Sequence, residues 1–229
     1  MPRRARISLP NIPHHIIQRG NNRDVCFFCE QDYQYYLNWL EEYANEYGCL
    51  VHCYVLMTNH VHLLITPPSA TALSQLMKRL GQRYVQYINR TYRRSGTLWE
   101  GRFKSCLAQD EHYVMSCYKY IELNPVRANM VDMPEKYPWS SYRYNAHGEK
   151  NSMITPHYLY ISLASTSSER AFAYRQLFKN VLSIQVIKDI RLSTNGNFVL
   201  GSERFKNQIE RVIGRRVSPG HAGRPKKSI

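Results

Sequence analysis

The segment Asn59-His-Val-His-Leu-Leu64 places two imidazoles on either side of a valine and then turns apolar. Side chains two apart on a strand share a face, so His60 and His62 stand side by side while Val61, Leu63 and Ile65 line the other. Two histidines presented this way can share a metal ion, or they can form a polar strand surface. A metal site needs a further ligand and a reactive group. Tyr120 and Asn124 offer both, because residues four apart on a helix are neighbours on one face. The amide oxygen of Asn124 can ligate a divalent ion, and the phenol of Tyr120 can attack. A phenol with a pKa of about 10 is a weak nucleophile at neutral pH. A nearby cation stabilises both the phenolate and the charge that builds on a phosphodiester under attack. Attack by tyrosine preserves the bond energy in a covalent link that a released 3′-hydroxyl can reverse, which is strand transfer, not hydrolysis. Tyr113, seven residues before Tyr120, shares its helix face and competes for the role; Tyr118 lies on another face.

The surrounding pattern supplies elements to hold these groups. Residues 14–19 read as a strand and residues 31–47 as a helix closed by Gly48. Residues 50–57 form a second strand, joined to the His60 strand by the two-residue hairpin Thr58-Asn59, and Pro67-Pro68 stops the pair. A second helix covers residues 70–92, with Leu73, Leu76, Met77, Leu80, Tyr84, Tyr87 and Ile88 as its apolar stripe. A strand over 103–108 follows, and Asp110 reads as the N-cap of a third helix running through Tyr120 toward Asn124-Pro125. This order predicts an α+β fold, a ferredoxin-like (split βαβ) antiparallel sheet with helices on one face. Past Pro134 the chain turns to a proline- and aromatic-rich wrap and then to short helices at 168–182, 185–192 and 202–213. The expected organisation is a main domain over residues 1–145, a helical extension over 146–214 and a basic tail over 215–229. His52 reads as structural, and Glu122 as lying on the flank of the third helix.

Composition narrows the partners. The chain has 229 residues, 43% of them hydrophobic, which suits a folded globular protein. No apolar run of about 18 residues suggests a membrane span, and the basic N-terminus has no apolar stretch behind it, so no secretory signal is read. Six cysteines then imply reduced thiols in a cytoplasm. Cys26-Phe-Phe-Cys29 has the spacing of half a zinc site but no second such pair. Lysines and arginines number 31 against 17 acids, for a net charge of +14, and the excess points to an anionic partner, nucleic acid first and an acidic membrane surface second. It is clustered: eight basic residues and one acid lie between Lys78 and Lys104.

The motifs "MPRRARI", "IIQRGNNRD", "YVLMTNHVHLLITP", "GTLWEGRFKS", "YKYIELNPVRANMV" and "YPWSSYR" together resemble the HUH single-tyrosine transposases, in particular the REP-associated branch of the IS200-like transposases. The resemblance covers roughly residues 1–145. It implies an enzyme dependent on a divalent metal, Mg²⁺ or Mn²⁺, that nicks and rejoins single-stranded DNA beside a hairpin made by a repeated palindromic element. It implies that His60 and His62 ligate the ion, that Tyr120 is the nucleophile, and that Asn124 stands where the family has a third polar ligand, a place the smaller relatives tend to fill with glutamine. A nucleoid-associated, cytoplasmic protein, monomer or homodimer, with single-stranded and hairpin DNA as partner and no membrane, follows from the same likeness.

Basic side chains interleaved with aromatics suit single strands, since charge follows the backbone and rings stack on bases. Arg79, Arg83, Arg90, Arg93, Arg94, Arg102 and Lys104 are the candidates, with Trp99 and Tyr87 to stack. Arg3 and Arg4 belong to a basic N-terminal arm that could enter a groove. The tail Gly223-Arg-Pro-Lys-Lys227 resembles the core of an AT-hook, with Arg224 for the minor groove. The alternative from another class is a non-catalytic nucleic-acid-binding module on the same fold. A zinc hydrolase lacks a carboxylate placed as general base near His60 and His62.

Overall fold

The structure is a computed structural model that describes residues 6–220, with residues 110–112 described for their backbone alone. The chain forms β1 (His14–Arg19), α1 (Glu30–Glu46), β2 (Leu50–Met57), β3 (His60–Thr66), α2 (Ala72–Thr91), β4 (Lys104–Ala108) and α3 (Asp110–Glu122) in that order. α4 (Asn124–Arg127), α5 (Tyr142–His147), α6 (Tyr158–Ile161), α7 (Ser167–Lys179), α8 (Ile184–Gly196), β5 (Val199–Leu200) and α9 (Glu203–Ile213) follow. The sheet order is β2-β3-β1-β4-β5. β1 pairs antiparallel with both β3 and β4, and β2 pairs antiparallel with β3, so the first four strands make the expected ferredoxin-like sheet. β5 adds a short parallel strand beside β4 that local pattern did not announce.

The elements form for local reasons. Thr58-Asn59 turns β2 into β3 with Met57 opposite His60. Leu73, Leu76, Met77, Leu80, Tyr84 and Ile88 form the buried stripe of α2. The carboxylate of Asp32 accepts the backbone N–H groups of Phe28 at 2.7 Å and Cys29 at 3.1 Å, which caps α1. It also accepts the hydroxyls of Tyr87 at 2.8 Å and Tyr92 at 2.9 Å, tying α1 to α2. Gln109, with extended backbone, occupies the N-cap position of α3, so Asp110 is the first helical residue and not the cap.

Helices cover both faces of the sheet, not one. Val61, Leu63 and Ile65 face the core shared with α1 and α2, together with Tyr36, Leu40, Leu76, Leu80 and Tyr84. On the opposite face Cys53, Val55, Leu64, Cys106 and Ala108 pack against Val114, Cys117, Tyr118, Tyr120 and Ile121 of α3 and against Tyr142, Tyr174 and Ile190 from α5, α7 and α8. The helices of the extension therefore build the second core layer directly. Among the described residues no helix is long and apolar enough to cross a membrane.

The wrap closes an edge. The N–H of Leu56 donates to the carbonyl of Trp139 at 2.9 Å, and Ser140 and Ile154 bridge to Val55 and Val51 of β2. An unpaired outer strand is thereby covered.

Glu122, expected on the helix flank, is instead fully buried and anchors α3. Its carboxylate accepts the Ser141 hydroxyl at 2.5 Å, the Asn145 amide at 2.8 Å and the Tyr174 hydroxyl at 2.6 Å. Burial raises its pKa to about 7, against the pull of those three donors. Removing the carboxylate strands three buried donors, so Glu122→Ala is expected to lose about 2–4 kcal/mol of stability in urea unfolding, and Glu122→Gln less than half of that. The histidines carry an acid-sensitive term. His52 donates to the carbonyl of Thr155 at 2.7 Å and bonds the Thr66 hydroxyl at 2.8 Å, and it is structural as expected. Burial lowers the pKa of His14, His52 and His157 to about 4 each. The unfolded chain takes up protons near pH 6.5 that the folded chain refuses. The stability these groups contribute is present above that pH and is lost as pH falls toward 4. The unfolding free energy from urea titration is expected to drop between pH 7 and pH 4.5, by about 1 kcal/mol per pH unit per histidine, and His52→Gln to flatten the drop.

Candidate active site

The alternation of β3 sets His60 and His62 on the face that α3 covers, with ring centroids 5.1 Å apart. Tyr120, near the end of α3, meets the His62 ring edge-on at 5.6 Å. α3 ends at Glu122, and Asn124 opens the short α4, yet the N–H of Leu123 still donates to the carbonyl of Lys119, so the turn continues and Asn124 stays beside Tyr120. His60, His62, Tyr120 and Asn124 all line one cavity of about 250 Å³. The structure thus brings the four sequence-predicted residues together. Tyr118 is fully buried in the core and Tyr113 packs at its margin, so neither lines that cavity.

The ring nitrogens are oriented. Asn59 donates its amide to the carbonyl of Arg23 at 3.0 Å, which turns its oxygen to His60 Nδ1 at 2.6 Å. His60 Nε2 is left for the cavity. His62 Nδ1 is bonded to His15 Nε2 at 2.8 Å, again leaving Nε2. Desolvation, with help from Arg19 and Arg127, lowers the pKa of His60 to about 4. Burial, then His15 and His60, hold His62 well below the ordinary range, and burial takes His15 to about 3. All three are neutral at pH 7, the form in which imidazole ligates metals. The side-chain nitrogen of Asn124 is buried with no partner, and the carbonyl oxygen is the atom of that amide that can ligate a cation. Among the described residues no three His, Cys, Asp or Glu side chains cluster as a metal site. The donor set is two imidazole nitrogens and an amide, which fits a divalent ion of intermediate hardness completed by water or substrate oxygen.

Cationic groups surround the cavity. Arg127 donates to the carbonyl of Tyr120 at 2.6 Å and lies 4.3 Å from the centre of its ring, while its Nε and Nη1 are buried without partners. Arg19 and Arg191 line the cavity with His15, Thr194 and Asn195. An adjoining groove shares Ile17, Arg19 and Asn195 with the cavity and continues along Glu100, Arg102 and Lys104. Arg19, Arg102 and Lys104 outnumber Glu100 there, so the balance of charge is positive and attracts anions.

The remaining basic candidates scatter. Arg102 and Lys104 open onto the adjoining groove. Arg79, Arg83 and Arg90 sit on α2, across the sheet from Tyr120. Arg83 is paired with Glu42 at 2.7 Å and lies over Trp39, while Arg79 lies 5.7 Å from the Tyr43 ring. Arg93 occupies the exposed turn after α2 and Arg94 lies over Phe28. Trp99, expected to stack on bases, is 5% exposed and stacks on Tyr84 in the core. Cys26 is buried against the carbonyl of Thr58, and Cys29 contacts the Tyr92 hydroxyl. Arg3, Arg4 and Arg224, with the AT-hook-like motif at 223–227, lie outside the described residues.

The sequence reading passed over His15, Arg19, Arg127, Arg191, Thr194 and Asn195. Arg127, seven residues after Tyr120, was within reach of helical spacing. His15 needed the pairing of β1 with β3, and the α8 residues needed the tertiary fold.

Comparison with known proteins places the chain in a family of transposases and its sheet in a fold that a solved transposase shares. The family described as "Transposase IS200 like" matches residues 8–124, over half of the chain, and the chain belongs to that family. Among solved structures it is similar to a REP-associated tyrosine transposase bound to a REP hairpin, at 16% identity and a TM-score of 0.56, covering 69% of this chain and 93% of that one. A candidate transposase from Deinococcus radiodurans matches at 20% identity and a TM-score of 0.37, over 53% of this chain and 96% of that one. A tRNA(His) guanylyltransferase from Saccharomyces cerevisiae matches at 10% identity and a TM-score of 0.39, over 77% and 82% of the two chains. The first likeness shows a shared fold, and the TM-scores of the other two are too low to bear on function. No curated protein sequence matches the chain.

The burial of Trp99 yields a test. Trp99→Ala is expected to lose about 3–5 kcal/mol of stability in denaturant unfolding. Any loss of DNA binding should track the unfolded fraction and vanish when folded protein alone is counted.

Proposed function

We propose that this chain is a metal-dependent tyrosine transposase of the REP-associated kind, cutting and rejoining single-stranded DNA beside a palindromic hairpin. The observation that carries the reading is the convergence of His60, His62, Asn124 and Tyr120 on one cavity. Membership of the IS200-like transposases supports the reaction class. The REP hairpin bound by the solved relative supports the choice of DNA.

His60, His62 and Asn124 hold Mg²⁺ or Mn²⁺ in this reading, and the ion supplies charge neutralisation at the scissile phosphate. The chain's own groups do the rest. The phenolic oxygen of Tyr120 attacks phosphorus and its proton passes to solvent. A phosphorus–oxygen bond to tyrosine forms as the bond to the 3′-oxygen breaks, and that oxygen takes a proton from water to leave as a 3′-hydroxyl. The 5′-phosphate stays on Tyr120, and attack by a 3′-hydroxyl reverses the steps with equal balance. Arg127, 4.3 Å from the centre of the Tyr120 ring and bonded to its carbonyl, positions the phenol. Arg19 and Arg191 draw the strand in, and Arg102 and Lys104 extend its path.

All four central residues come from a single chain, so the reading needs no second copy and holds for a monomer or a homodimer. It takes residues 1–145 as the transposase unit, 146–214 as an extension that completes the site, and 215–229 as a basic tail. Such an activity belongs with the nucleoid in the cytoplasm.

Incubation with single-stranded hairpin DNA and Mn²⁺ or Mg²⁺, followed by a denaturing gel, is expected to show a protein–DNA adduct. Tyr120→Phe should abolish it and Tyr113→Phe should retain it. An adduct that survives Tyr120→Phe would move the nucleophile elsewhere, and no adduct from the unaltered protein would leave a binding module.

A further inference from the structure

α8 lies about sixty residues beyond the segment that matches the transposase family, yet its side chains reach the active site. One assignment of hydrogens makes all of its polar contacts there hydrogen bonds at once, and it has a direction. Thr194 owns one hydroxyl hydrogen, and it donates that hydrogen to the carbonyl of Ile190 at 2.7 Å, one turn earlier. Toward His15 the Thr194 oxygen can then only accept. His15 Nδ1, 2.9 Å away, is accordingly the protonated nitrogen of that ring. The thiol of Cys106, at 3.2 Å, gives the same oxygen its second donor. A neutral imidazole with hydrogen on Nδ1 has a lone pair on Nε2. His15 Nε2 therefore accepts from His62 Nδ1 at 2.8 Å, and His62 is left with an unprotonated Nε2 facing the cavity.

His60 reaches the same state by a separate route, through the oriented amide of Asn59. The two histidines of β3 thus have independent tautomer controls. One is local, in the hairpin turn beside it. The other runs across the sheet to β1 and on to α8, through three buried side chains.

We infer that Thr194 and His15 are positioning residues that hold His62 as its Nδ1–H tautomer, making α8 a built part of the active centre and not merely a cover for the sheet. The inference rests on the reading of His62 as a metal ligand for its purpose, but not for its geometry. Partners that fix the far nitrogen of a ligating imidazole set both its tautomer and its direction, and losing them typically costs metal affinity by about ten- to a hundredfold.

The test separates the relay from the metal. In protein labelled with ¹⁵N-histidine, NMR reports which nitrogen of His62 carries hydrogen, with no metal added. The unaltered protein is expected to show Nδ1–H. Thr194→Val keeps the side-chain shape and removes the acceptor, so it should shift His62 toward Nε2–H and weaken Mn²⁺ binding, measured by titration calorimetry, by about tenfold. Thr194→Ser should restore both. Should Thr194→Val not fold, His15→Phe breaks the relay at its next bond and is expected to give the same shift. A His62 tautomer unchanged in Thr194→Val or His15→Phe overturns the inference. A shifted tautomer in a protein whose unaltered form takes no Mn²⁺ leaves the relay standing and sinks the metal reading alone.

Discussion

Three imidazoles, His15, His60 and His62, stand in contact in the protein interior with Arg19 and Arg127 close enough to act on them. Burial and those guanidiniums deny all three a proton at neutral pH, since each added charge would raise the cost of the others. Neutral rings with their outward nitrogens bare are the condition for everything else in the cavity. Were they protonated, the pocket would repel a cation and bind an anion as a plain basic patch. The same arginines that keep the rings uncharged leave the surroundings of the cavity positively charged.

Holding that arrangement requires α3 to sit at a fixed height over the sheet. The helix is pinned on one side by its apolar contacts with Cys53, Val55 and Leu64 and on the other by the carboxylate of Glu122, two residues from Tyr120. Glu122 gathers donors from α5, its preceding residue Ser141 and α7, so the segments after residue 140 help to set the position of the phenol. The second core layer and the active site are, in this sense, one structure.

What could be read from the chain follows how locally each feature is determined. The period-two alternation of β3 gave the histidine face, the helical stripe of α2 gave its buried side, and the spacing of Tyr120 and Asn124 survived a break in the helix between them. These depend on neighbours in sequence. Glu122 was misplaced because its partners lie 19, 23 and 52 residues away, and no local pattern reports them. The burial of Trp99 was hidden for a related reason: an aromatic in a basic loop looks exposed until Tyr84 is found beneath it. Thr194 meets His15 across 179 residues, and a threonine in a late helix carries no signal of that meeting. The placement of helices on both faces, likewise, could not be derived from the order of strands and helices alone.

The covered rim of the sheet bears on how copies of the chain can associate. β2 has Ser140 and Ile154 bridged along its outer side, and at the far rim β5 spans only Val199–Leu200, with the N–H of Val199 already given to the carbonyl of Val217. Strand addition, the cheapest way for two α+β proteins to join, finds no long open backbone to extend at either rim of the described sheet. Any dimer would have to be assembled through side chains of helices and loops, and its strength would be set by their shape and charge instead of by continuous hydrogen bonding.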